Sequence, residues 1–79
     1  MSAKTESPFE VGDLVRVNDR EEHNYGLEIN EQYSDPAGHR VTGIHLAEDG
    51  WMVTMEDPSS NEYWMSWRFM LVQKVVHNG

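Results

Sequence analysis

Residues 43–72 read GIHLAEDGWMVTMEDPSSNEYWMSWRFMLV, and no other stretch constrains the fold as strongly. Short runs of alternating character are interrupted by Asp49-Gly50 and then by Asp57-Pro58-Ser59-Ser60-Asn61. Alternation at a period of two puts successive side chains on opposite faces of a strand. Asp-Gly favours the tight turn of a hairpin, and the second cluster is rich in turn formers. These signals predict strands over 39–46, 51–56 and 62–67, joined by two turns. The stretch also carries all three tryptophans and four of the five methionines.

The upstream half is arranged to close on this unit. Residues 1–7 lack apolar periodicity and read as a disordered tail. Val11-Gly12-Asp13 is a turn into a first strand over 13–17, with Val15 and Val17 on one face and Leu14 and Arg16 on the other. Residues 18–38 form a long loop, NDREEHNYGLEINEQYSDPAG, with six carboxylates against one arginine. Loops of this length are uncommon in compact domains and are usually functional or mobile. Within it, either a hairpin arm with Tyr25, Leu27 and Ile29 on one face or a short helix over 26–33 is expected, and periodicity does not choose between them. In the second strand, strict alternation from Val41 turns Ile44 outward. A β-bulge at Gly43 restores the pattern and is predicted. A helical turn over 68–70 leads into a closing strand over 71–76, followed by a tail, His77-Asn78-Gly79.

The expectation is one all-β domain over 8–77, a five-stranded, partly open barrel. Its expected core is Val15, Val17, Val41, Val53, Met55, Leu71 and at least one of Trp64 and Trp67, with Trp51 also contributing to stability. With 79 residues and no cysteine, neither disulfides nor thiolate zinc sites help a domain this small. Large aromatics are the remaining source of burial per residue.

Charge limits function. Fourteen acidic residues stand against six basic ones, for a net charge of −8. Direct nucleic-acid binding requires clustered Lys and Arg, which are missing here, and adhesion to an anionic membrane is disfavoured for the same reason. A basic protein partner fits. With no apolar leader and no stretch of membrane-spanning length, a cytoplasmic location is expected. His23, His39, His45 and His77 have no ligand spacing, so no metal or cofactor is expected. No nucleophile elbow, P-loop or dinucleotide fingerprint occurs, and the carboxylate pairs Glu21-Glu22, Glu48-Asp49 and Glu56-Asp57 fall in solvated turns. No catalytic residue is assigned, and an enzyme is not expected.

The opening Gly12-Asp13-Leu14-Val15-Arg16-Val17 is one of four short motifs in a recognisable order. It is followed by Gly43-Ile44 through Asp49-Gly50-Trp51, then Asn61-Glu62-Tyr63-Trp64, then Phe69-Met70-Leu71-Val72. This order resembles the SH3-like barrels of the KOW and Mind-bomb/Herc2 type and the small SH3-like proteins encoded by bacteriophages. The resemblance spans residues 9–76 and implies a barrel fold and a non-catalytic binding role. The first strand departs from the Ala-Leu-Tyr-Asp-Tyr type of proline-peptide-binding SH3 domains. The acidic charge departs from nucleic-acid-binding KOW modules, which are usually basic.

The aromatic run 63–69 suggests where binding occurs. Trp, Tyr and Arg are enriched at interface hot spots, and one small core cannot hold both faces of this strand. The expected working face joins Tyr63, Trp64 and Trp67 to the acidic loop, with Tyr25 and Tyr33 as the opposite wall and Glu21, Glu22 and Glu28 at the rim. The leading expectation is a protein–protein interaction module for a basic, partly apolar surface. A second is an inhibitor whose carboxylates, in rows on one face, mimic nucleic acid and occupy a host protein's binding site. A third is an assembly component that oligomerises through an edge strand.

Overall fold

In the computed structural model, which describes residues 7–56 and 62–76, alternation produces the first strand as expected. β1 spans Leu14–Val17, with Val15 and Val17 buried and Leu14 and Arg16 half-buried. β2 (His39–Ala47), β3 (Gly50–Met55), β4 (Trp64–Met65) and β5 (Phe69–Gln73) follow. All pairings are antiparallel, and the order across one sheet is β4-β3-β2-β1-β5. The fold is mostly β, a single open sheet with β4 and β5 as its edges. Among the described residues no helix is long and apolar enough to cross a membrane. The expected turn over 57–61, the tail over 77–79 and all but Ser7 of the N-terminal tail lie outside the described residues.

The bulge forms where the hydrophobic pattern requires it. Val41 pairs with Met55 but Gly43 pairs with Thr54, so β2 gains one residue on β3. Ile44 then lies opposite buried Val53 and packs against the core. A Cβ on Gly43 would sit 2.8 Å from the Thr54 hydroxyl, which is itself 2.9 Å from the Thr42 hydroxyl. Glycine is therefore the residue that lets the bulge close.

The loop after β1 is not a solvated connector. It makes a 3-10 turn at Glu22–Asn24 and one turn of α-helix, α1, at Ile29–Gln32. Of the two expected forms the helical one is found. The i, i+4 spacing of Ile29 and Tyr33 places both on one helix face, and both are fully buried. The Tyr33 carbonyl accepts from the Val17 amide at 2.8 Å, which extends the backbone bonding of β1 into the loop. The Tyr33 ring meets His39, Phe69 and Trp64 edge-on, with centroids 5.2, 5.6 and 6.2 Å away.

The end of the chain departs from expectation: β4 covers only Trp64–Met65 rather than 62–67, and β5 ends at Gln73 rather than 76. The helical turn is at Ser66–Arg68 rather than 68–70, and β5 begins at Phe69 rather than 71. Phe69 is buried opposite Val17 and drives this shift, because its ring fills the core beside Tyr33. Leu71, expected in the core, is 45% exposed on the edge strand.

The tryptophans also contribute less than expected. Val15, Val17, Val41, Val53 and Met55 are buried as anticipated, joined by Phe9, Ile29, Tyr33 and Phe69. Trp64 packs partly against this cluster, Trp51 is half-buried and Trp67 is exposed. Trp64→Ala should therefore cost about 2–3 kcal/mol, below the ~3–5 kcal/mol of a fully buried aromatic. Trp67→Ala should cost about 1 kcal/mol or less. Urea denaturation of the two variants measures this, and the opposite ranking would contradict the packing described here.

The Gly12-Asp13 turn ties the two ends of the domain together. Gly12 has φ of 102°, and a Cβ there would lie 2.7 Å from Val75. The Asp13 carboxylate is fully buried. It accepts from the Val75 amide at 2.8 Å, the Glu10 amide at 2.9 Å and Lys74 Nζ at 3.3 Å. Lys74 also bridges to Glu10 at 2.7 Å.

Candidate functional site

An Asn18 cap begins the acidic loop. Its side-chain oxygen accepts from the Arg20 amide at 3.0 Å and its carbonyl from the Glu21 amide at 3.2 Å, a local turn that Asn favours. The chain then reaches Asn24, which is fully buried. Its amide donates to the carbonyls of Asn18 and Arg68, both at 3.0 Å, and its oxygen accepts from Arg68 Nη1 at 2.9 Å. The Asn18 amide also donates to the Arg68 carbonyl at 2.8 Å. The loop is thus clamped to the turn Ser66–Arg68, and the expected adjacency of acidic loop and aromatic segment is present. Asn24 carries this clamp. In the sequence it reads only as another turn former, because its partner lies forty-four positions away.

Beside the clamp lies an open groove of about 560 Å³. It is lined by Arg16, Val17 and Asp19 and by Tyr25, Gly26, Asn30 and Ser34 of the loop. The Tyr25 ring is 64% exposed here. Asp19, Glu22, Glu28, Glu31 and Asp35 are exposed within the same loop, and Glu21 is partly buried. The Arg68 guanidinium also lies 4.4 Å from the centre of the exposed Trp67 ring. This cation–π contact holds the indole against the turn.

The residues expected at the face divide into two sets. Glu21, Glu22, Glu28 and Tyr25 sit on the loop, and Trp67 on the turn clamped to it. Tyr33 cannot form a groove wall, because it is fully buried beneath the loop as a core residue. Trp64 faces the core beside it. Tyr63 is exposed but stacks near His45 on β2, with ring centres 5.6 Å apart. Arg16 also lines the groove; the strand pattern marks it only as lying on the face opposite Val15 and Val17.

No protein-family model, curated protein or solved structure matches this chain. The functional reading therefore rests on geometry and chemistry alone.

Carboxylates occur at both ends of the sheet. The loop and Glu56 lie together, because the Glu56 amide bonds the Arg40 carbonyl at the start of β2. Glu48 and Asp49 occupy the β2–β3 turn, at the other end of β2. The groove end can attract a cationic surface, and Tyr25 and Trp67 offer it aromatic area.

Proposed function

We propose that this chain is a non-catalytic protein-interaction module with an SH3-like barrel arrangement, and that loop 18–38 is its working face toward a basic, partly apolar partner. One observation carries the reading: the exposed Tyr25 ring at an open groove, on a loop with five exposed carboxylates held in place by the Asn24–Arg68 clamp. An exposed aromatic beside like charges gives both an anchor and selectivity for opposite charge. The strand order, with a 3-10 turn before the last strand, supports a barrel open between β4 and β5. Such a fold hosts many functions, so the reading rests on the loop rather than on the architecture. The mimicry reading has less support, because Glu48-Asp49 and the loop carboxylates lie at opposite ends of β2 and do not form one row.

The test is capture of a partner from lysate, followed by titration at low and high salt. The double variant Glu22→Lys/Glu28→Lys should bind about tenfold more weakly at low salt. The difference should shrink at high salt, since exposed charges are screened beyond about 8 Å at physiological ionic strength. Tyr25→Ala should lose about 2 kcal/mol at either salt concentration. If both variants bind like the parent, the working face lies elsewhere.

A further inference from the structure

The two edges of the sheet are protected very differently. β4 is two residues long, too short to template another strand. β5 is five residues long and, among the described residues, pairs only with β1. Natural edges are usually blunted by charge, proline or brevity. The middle of β5 is Met70-Leu71-Val72, and these are 42%, 45% and 38% exposed. It carries neither charge nor proline, and among the described residues no strand pairs with its outer side.

The distribution of charge says what can approach it. All fourteen carboxylates lie at or before Glu62. From Tyr63 onward the charged side chains are Arg68 and Lys74, one at each end of β5. A basic strand would meet these cations. A second copy of this chain meets a different pattern. Antiparallel pairing about Leu71 sets Met70 against Val72 of the other copy. It also brings Arg68 toward the other copy's Lys74, which is already engaged by Glu10 at 2.7 Å and Asp13 at 3.3 Å. That cluster holds two carboxylates and one lysine, so Arg68 approaches net negative charge. Everywhere else, two molecules of charge −8 repel.

We propose that β5 is a self-association edge, on which two copies of this chain pair antiparallel through Met70-Leu71-Val72 to form one continuous sheet. The pairing gives the backbone groups of β5 partners and covers the apolar run. Because the remaining surfaces repel, association strengthens as salt rises. The proposed basic partner at loop 18–38 has the opposite salt dependence, so the two interactions are separable.

Sedimentation of the full chain over a concentration series at low and high salt is the experiment. The expected result is a monomer–dimer equilibrium, with the 9.2 kDa chain doubling in mass, that tightens with salt. Met70→Lys and Leu71→Lys should each weaken the dimer about tenfold or more. Leu46→Lys, at a residue 54% exposed on β2, should leave it unchanged. In the parent, amide exchange at 70–72 should slow as protein concentration rises, which tests the edge even where a lysine variant does not fold. A parent that stays monomeric at every salt concentration, or a dimer insensitive to both lysine variants, would overturn the proposal. So would exchange at 70–72 that ignores concentration.

Discussion

Tyr33→Ala should unfold this protein or leave it barely folded. The side chain is fully buried, and its ring contacts His39, Trp64 and Phe69. Emptying such a site costs about 3–5 kcal/mol. A chain of 79 residues has only about 4–12 kcal/mol in total, at the usual stability per residue. Tyr33→Phe keeps the ring and its packing and should stay within about 1 kcal/mol of the parent. Urea denaturation followed by circular dichroism separates the two. Were Tyr33→Ala to melt with the parent, the loop would not belong to the core. The same substitution should also weaken partner binding, because Tyr33 supports the loop whose exposed side carries Tyr25.

Asp13→Ala should have the next largest effect, about 2–3 kcal/mol, because it removes a charged acceptor of three hydrogen bonds. Asp13→Asn should fall in between, since an amide can still accept from Val75 but cannot accept from Glu10 and Lys74 as a carboxylate does. The pH dependence has a definite sign. Burial alone raises the Asp13 pKa, but hydrogen bonds from the Val75 and Glu10 amides, with Lys74, outweigh it and hold the group below the ordinary 3.8. A carboxyl depressed on folding stabilises fully above its unfolded value and loses that contribution as pH falls through the folded one. Denaturation midpoints should drop as pH falls below about 4, more steeply in the parent than in Asp13→Asn. Equal acid sensitivity in both would remove Asp13 from this role.

Local pattern and turn chemistry were legible because they involve neighbours in sequence. Val15 and Val17 alternate into the core, Glu48-Asp49 turns from β2 into Gly50 at the start of β3, and Gly43 marks the bulge. Each follows from a period of two, from the positive φ that Gly50 adopts, or from the space that a missing Cβ leaves at Gly43. The proximity of acidic loop and aromatic segment was also readable, though not its mechanism. Asn24 could be recognised only once Arg68 had been brought beside it.

What the sequence alone determined is therefore a mostly-β chain, its strand count, its bulge and its charge. Only the tertiary structure decided which large side chains fill the core. Tyr33 and Phe69 take the space that Leu71 and a tryptophan were expected to fill, leaving Leu71 and Trp67 exposed. The physical reason is volume. A small core closes around whichever rings the loop and the sheet edge deliver together, and close packing leaves no room for the rest. Hydrophobicity marks the candidates for burial, and the choice among them is made by contacts between residues distant in the chain.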